Sequence, residues 1–219
     1  MLPRVLEPEV MDSAEEARDY NAMDHAEVNR VFVADFLACW GGHGTVLDVG
    51  TGTAQIPIAL CRRAPHLRVV GIDLAEHMLD VGRENVRQAG LAEQLRLERV
   101  DAKKMPFSDG QFSAVISNSI VHHIPQPGDV LAEMLRVVPR SGALFVRDLM
   151  RPEDETTLLH LVDTYAAGAN DHQRRMFRES LQAALTLNEI RSLVTHLGFA
   201  PESVRQTSDR HWTWQAVRP

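Results

Sequence analysis

Three aspartates, a glycine-rich turn and a histidine pair are the residues of this chain whose types and spacing point to chemistry. Val46-Leu47-Asp48-Val49-Gly50-Thr51-Gly52-Thr53-Ala54-Gln55 reads as an apolar strand, a tight turn and the start of a helix. Glycines in such a turn let the backbone approach a ligand, and the helix N-terminus presents free N–H groups to it. The dinucleotide fingerprint G-x-G-x-x-G/A is met at Gly50 and Gly52 but fails at Gln55. Asp48 adds a charge argument. It stands two residues before Gly50, where its carboxylate repels a pyrophosphate and attracts a cation. Two unit charges 4 Å apart interact by about 1 kcal/mol in water and about 4 kcal/mol in a partly screened site, so the sign matters. Asp73 ends the next apolar run about twenty residues after Gly52, where acidic side chains reach ribose hydroxyls in such sites. A carboxylate accepts from both hydroxyls; the competing reading is a helix N-cap. With Asp73 on a ribose, Leu74 and Met78 flank the base, although a lone Met is equally a core residue. His122 and His123 offer an imidazole that takes a proton from a hydroxyl or thiol, with His123 ahead of His122 as the base. The plain alternative is that one ring packs and the other caps the following turn.

The segment from Asp48 to Ala54 resembles motif I of the class I S-adenosylmethionine-dependent methyltransferases, D/E-x-G-x-G-x-G, with Ala54 in place of the third glycine. The ammonium and sulfonium of that donor are the cations the Asp48 argument asks for. The resemblance continues through Asp101, through Pro106-Phe107-Ser108-Asp109-Gly110-Gln111-Phe112, and through Glu133 to Gly142, where Ser141 replaces the first of two family glycines. It implies that Asp48, Gly50, Thr51, Gly52 and Gln55 hold the methionine end and that Asp101 takes the adenine amino group with Ala102 beside it. It also implies that Asn118 lies where cofactor meets acceptor. The N/D-P-P-Y/F signature of amino-group methylation on nucleobases or glutamine is absent after Asn118. Ser117 to Ile124 instead resembles small-molecule methyltransferases with an L-H-H-I/L-like segment, Val121 standing at the Leu position. The implied reaction is in-line transfer of the S-adenosylmethionine methyl to an O, N, S or C atom of a small molecule, leaving S-adenosylhomocysteine, with no metal. Positioning alone supplies roughly 7–11 kcal/mol in well-oriented systems, so a dedicated base is optional. A cofactor-binding regulatory module without turnover is the alternative, and Asp48 with Gln55 disfavours a nicotinamide oxidoreductase.

The elements that must position these residues alternate. Strands are predicted at Val46–Val49, Arg68–Ile72, Leu95–Val100, Ser113–Ser117 and Ala143–Asp148, with helices at Gln55–Arg63, His77–Ala89 and Asp129–Val137. This is the pattern of an α/β, Rossmann-like, mostly parallel sheet with helices on both faces. A capping box at Ser13 and Glu16 and an apolar stripe at Val28, Phe32, Phe36 and Trp40 mark N-terminal helices. Two amphipathic helices follow Arg151, at Glu153–Ala167 and Asp171–Ala184, and a third opens at Thr186 with Glu189. Strand-like Ser203–Gln206 and Trp212–Val217 bring the sheet to about seven strands, the last antiparallel. The expected organisation is one methyltransferase domain, 1–219: a helical cap (1–44), a cofactor core (45–150), a helical insertion (151–185) and a final helix and strand pair (186–219). Residues 1–10 read as a loose arm. Tyr20 and His25 before the second helix, Arg147 ending the fifth strand, and Tyr165 in the insertion are candidates for the acceptor side.

With 219 residues at 44% hydrophobic, one α/β core is filled and two are not. A net charge of −7 argues against a nucleic-acid partner. Cys39 and Cys61 have no metal or disulfide spacing and read as buried thiols. There is no run of 18 apolar residues, and the acidic, proline-bearing N-terminus is unlike a signal peptide. These features lead us to expect a cytoplasmic protein, monomer or homodimer, with no membrane partner.

Overall fold

The computed structural model describes residues 2–7 and 13–219. Its strands are β1 (Thr45–Val49), β2 (Arg68–Asp73), β3 (Leu95–Arg99), β4 (Ala114–Asn118), β5 (Ala143–Leu149), β6 (Val204–Gln206) and β7 (His211–Val217). Its helices are α1 (Ala14–Ala22), α2 (Ala26–Cys39), α3 (Gln55–Arg63), α4 (Glu76–Gln88), α5 (Pro127–Arg136), α6 (Glu155–Tyr165), α7 (Asp171–Ala183) and α8 (Leu187–His196). The sheet order is β3-β2-β1-β4-β5-β7-β6. β1 pairs in parallel with β2 and β4, β2 in parallel with β3, and β6 antiparallel with β7. This is the Rossmann-like arrangement read from the alternation of strands and helices. The chain runs β1, β2, β3 outward and then returns to β4 on the other side of β1. Right-handed crossovers therefore carry α3 and α4 over one face and α5 over the other, with a switch point between β1 and β4.

By packing, the chain divides into two compact units. One takes the described residues from 13 to 118, with Asp129–Val146 and Ala216–Pro219; the other takes residues 2–7, Ser119–Gly128 and Arg147–Gln215. β5 contributes to both.

The first unit is built on strands whose burial is nearly continuous, as parallel strands covered on both faces require. Phe32, Val33 and Phe36 of α2, Ile58 and Leu60 of α3, and Phe145 of β5 fill one core, with Phe32 edge-on to Phe145 at 5.1 Å. Val28, expected on this stripe, is exposed, and Asn29 beside it is the buried residue of that turn. Cys61 is buried as predicted, whereas Cys39, in the last turn of α2, is exposed. α1 opens on the Ser13–Glu16 capping box, and both of its hydrogen bonds are 3.1 Å.

The Glu133–Arg136 tract shows why it marks fold and not chemistry. Arg136 donates to the carbonyls of Met105 and Phe107 and to the carboxylates of Asp109 and Glu133, while Glu133 accepts from the Met105 N–H at 2.7 Å. One guanidinium thus fixes the turn that feeds β4. Arg136→Ala is expected to lower unfolding free energy by about 2–3 kcal/mol, and Arg136→Lys to restore little, since an ammonium lacks the planar fork. Urea unfolding midpoints check this.

In the second unit, α6 and α7 pack Leu158, Leu161, Val162 and Leu181 around Leu149. A capping box at Asn170 and Gln173 starts α7, and one at Thr186 and Glu189 starts α8. Trp212 and Trp214, predicted to share a face and pack, are fully buried, with Phe199 edge-on to Trp214 at 5.3 Å. Residues 2–7 are not the loose arm expected. Arg4 donates to the carbonyls of Ala183 (2.6 Å), His122 (3.1 Å), Ile124 (3.0 Å) and Pro125 (3.4 Å). The N–H groups of Leu2 and Val5 donate to Glu153 and Gln182. The rest of that arm, residues 1 and 8–10, lies outside the described residues. A single arginine with many donors turned a period-less stretch into a strap, which no hydrophobic pattern reveals.

Candidate cofactor site

The parallel register brings the predicted residues to one edge of the first unit. Val49 is level with Ile72 of β2 and Ser117 of β4, so Gly50, Asp73 and Asn118 follow in one row at the carboxyl ends of three adjacent strands. Asp73 is level with Arg99, and Asp101 follows β3 by two residues. The row straddles the switch point, where open α/β sheets bind ligands.

The glycine loop is held from below: the N–H groups of Gly50 and Thr51 both donate to the Ile72 carbonyl at 2.9 Å. Gly50, Gly52 and Ala54 have φ of 77°, 52° and 64°. Ala54 therefore keeps the left-handed conformation that a glycine would take, at a cost of roughly 1–2 kcal/mol. Its methyl is fully buried in the core, which offsets part of that cost. Ser141, the other family glycine that is replaced, is likewise left-handed at 65°. Both departures preserve backbone shape. α3 opens on Ala54 with no side chain capping its first N–H groups.

Asp73 links the loop to the following turn. Its carboxylate accepts from the Gly52 N–H at 2.8 Å and from the Ala75 N–H at 3.0 Å. It closes a turn ahead of α4 and is not that helix's N-cap, which is Ala75. Asp48 is 2% exposed, and its Oδ2 has no hydrogen-bond partner among the described residues. Burial, with the Asp73 charge adding to it, outweighs the nearby Thr51 hydroxyl and pushes the Asp48 carboxyl up to about 7. The hydroxyls of Thr51 and Thr53 are also buried without partners among the described residues. A buried, unpaired carboxylate next to an uncapped helix start suits a ligand carrying both an ammonium and a carboxylate. These are the two groups of a methionine moiety.

Gln55 is a support of the loop: it donates to Asn21 Oδ1 at 3.3 Å and accepts from Asn29 at 3.2 Å. Asn85 of α4 donates to Asn21 at 2.8 Å and to the Thr53 carbonyl at 2.9 Å. Gly82 lets α4 come close, since a Cβ there would lie 3.2 Å from the Gly52 carbonyl oxygen. Asn21, Asn29, Gly82 and Asn85 went unnoticed in the sequence, and only the i, i+3 spacing of Gly82 and Asn85 on one helix face hinted at them. Met78 is buried against Ala17 and Ala75, and Leu74 is half-buried beside it in sequence. Asp101 accepts from the Lys103 N–H at 2.9 Å, and Ala102 is half-buried.

Tyr20 lies over the loop, its Cε1 4.0 Å from where a Gly52 Cβ would be. Burial, then the charges of Asp73 and Asp48, raise its phenol above the ordinary value. The His25 ring is 5.0 Å from that of Tyr20. Burial lowers the His25 pKa, and its Nε2 is buried with no partner among the described residues.

The other candidates lie in the second unit. Arg147 is buried and donates to Thr213 at 2.9 Å. Tyr165 is exposed, donates to Asp209 at 2.6 Å and carries the Arg210 guanidinium over its ring. His122 is 3% exposed, with Nδ1 2.5 Å from Asp148 Oδ1 and Nε2 3.5 Å from Glu7 Oε1. Burial lowers its pKa, but the Asp148 and Glu7 charges outweigh this and raise it. His122 thus has a carboxylate near each ring nitrogen. His123 faces the same Glu7 oxygen at 3.0 Å.

Residues 46–142 match the methyltransferase domain family. That match takes in less than half of the 219 residues. A solved structure from Bacillus halodurans, described as a methyltransferase, superposes with a TM-score of 0.60 at 26% identity, over 81% of this chain and 70% of that one. The demethylmenaquinone methyltransferase of Bacteroides fragilis is 32% identical over 108 residues, 49% of this chain and 44% of the relative. The phosphatidylethanolamine N-methyltransferase of Cereibacter sphaeroides is 34% identical over 103 residues, 47% of this chain and 49% of the relative. The matched segment thus spans about half the length of these curated relatives. The matched residues contain the glycine loop, Asp73, Asp101 and Asn118.

Proposed function

We propose that this chain binds S-adenosylmethionine along the β1–β2–β4 edge and transfers its methyl group to a small-molecule acceptor. The observation that carries the proposal is the buried, unpartnered Asp48 oxygen beside the glycine loop, a negative site suited to a cation. Asp48, with Gly50, Thr51 and Gly52, receives the methionine ammonium and carboxylate. Asp73 takes the ribose hydroxyls with its remaining lone pairs, Leu74 and Met78 border the adenine, and Asp101 with Ala102 reaches its amino group. Gln55 holds the loop, and Asn118 ends β4 at the reacting end.

The sulfonium is its own activated leaving group, so the methyl passes in line to the acceptor nucleophile while the electron pair returns to sulfur. Positioning does most of the work. If the acceptor must lose a proton, His25 is better suited than His122 or His123: burial keeps it neutral near pH 7 and leaves Nε2 unpaired among the described residues. Two relatives of similar identity are named for acceptors as different as demethylmenaquinone and phosphatidylethanolamine. The shared segment therefore supports the donor and leaves the acceptor to be found. Among the described residues no helix is long and apolar enough to cross a membrane; a cytoplasmic monomer or homodimer is our reading.

The test is transfer of radiolabelled methyl from S-adenosylmethionine to a panel of phenol, quinol, amine and thiol acceptors. Label should move to at least one class, and His25→Ala should lower the rate about 10²-fold or more for an acceptor that ionises, with little change in donor affinity. Donor binding without transfer to any acceptor would favour the regulatory alternative.

A further inference from the structure

Glu7, His122 and His123 each bring one ligand atom to one point in the second unit, all within 4.8 Å of one another. Glu7 Oε1 is 3.5 Å from His122 Nε2 and 3.0 Å from His123 Nδ1. Ligand atoms about 2.0–2.1 Å from a tetrahedral ion stand about 3.3 Å apart, so these separations straddle the edge of such a site. Two of the atoms face each other within this cluster. Glu7 Oε1 and His123 Nδ1 are both buried without a well-formed hydrogen bond, and the Glu7 side chain is 10% exposed. The third ligand is already oriented. His122 Nδ1 bonds to Asp148, which also accepts from the Val121 and Leu149 N–H groups, so the ring is fixed with Nε2 toward Glu7. A carboxylate behind a ligating imidazole is the outer support that metal-binding histidines commonly have. Glu7 and Asp148 place two negative charges nearby against one positive charge on Arg4, which binds the His122 carbonyl.

We propose that Glu7, His122 and His123 form a binding site for one zinc-type divalent transition-metal ion, with Asp148 as the outer carboxylate that orients His122. Two neutral imidazoles and a carboxylate suit that class of ion and leave room for a further ligand. The ion joins the N-terminal strap to the turn after β4, so metal binding and seating of residues 2–7 are one event. The sequence reading expected no metal, because one ligand comes from a segment without pattern, more than a hundred residues from the histidine pair.

The experiment is titration of chelator-dialysed, full-length protein with Co²⁺, read by visible absorption, followed by displacement with Zn²⁺. One equivalent should bind with a tetrahedral or five-coordinate spectrum, and Zn²⁺ should raise the Tm. Glu7→Gln and His123→Ala should each weaken Co²⁺ binding by at least about tenfold. His123 is partly exposed, so its replacement tests the site even if the Glu7 variant folds poorly. No saturable binding at submillimolar metal, or binding of equal strength in both variants, would overturn the assignment. Neither readout depends on methyl transfer.

Discussion

Asp73→Ala is expected to reduce affinity for S-adenosylhomocysteine by about 100-fold while the protein stays folded. In the proposed complex the carboxylate accepts from two ribose hydroxyls, and hydrogen bonds to a charged group are worth about 1.5–3 kcal/mol each. Water recovers part of that in the variant, which brings the net loss near 3 kcal/mol, or about two decades in affinity. The same carboxylate holds the Gly52 N–H at 2.8 Å and the Ala75 N–H at 3.0 Å, so some of the effect comes through the loop. In Asp73→Asn the amide oxygen can accept from only one of those two N–H groups and the NH2 faces the other, so stability and affinity should both fall, affinity by about tenfold or more. Calorimetric titration with parallel urea unfolding reads both quantities. Unchanged affinity in Asp73→Ala would remove the ribose assignment.

The second large effect is expected at Asp48, where stability and binding respond to pH in opposite directions. Burial raises its carboxyl to about 7 in the folded protein. Between its ordinary value and about 7 the folded state holds a proton that the unfolded state has lost, so ligand-free stability falls as pH rises through that window. Above about 7 the site is a buried carboxylate whose Oδ2 has no hydrogen-bond partner among the described residues, and a bound ammonium supplies one. Cofactor affinity should therefore rise by close to tenfold per unit from about pH 5.5 to about 7 and then level off. Asp48→Asn should flatten this profile, raise the ligand-free Tm at pH 8, and weaken binding there by about 100-fold, from a charge attraction of a few kcal/mol. Because S-adenosylhomocysteine keeps the ammonium and lacks the sulfonium, it should show the same profile. A flat profile in the wild type would contradict the role given to Asp48.

Strands and helices were legible because the first unit alternates short apolar runs with amphipathic stretches, and parallel strands buried on both faces announce themselves as continuous Val, Ile and Leu. Asp48, Asp73 and Asp101 were legible for a related reason: a strand end is fixed by its strand, so spacing in sequence becomes position in space. What could not be read depended on long-range polar contacts. Asn21, Asn29 and Asn85 meet around Gln55 and Thr53 from three helices, and an asparagine carries no periodicity that betrays such a meeting. Arg4 and Glu7 lie in a segment with no pattern, yet their hydrogen bonds and close approach to the histidines change the meaning of His122. Read alone, the histidine pair suggested a base. The structure adds the burial of His122 and its Asp148 contact, neither of which the sequence shows.

Calorimetric titration of the wild-type protein with S-adenosylhomocysteine at pH 7.5, repeated on Asp48→Asn, tests the central claim most directly. One saturable site of micromolar order is predicted for the wild type, weakened by about 100-fold in the variant. No saturable binding by the wild type at millimolar ligand, or equal affinity in the two proteins, would contradict it.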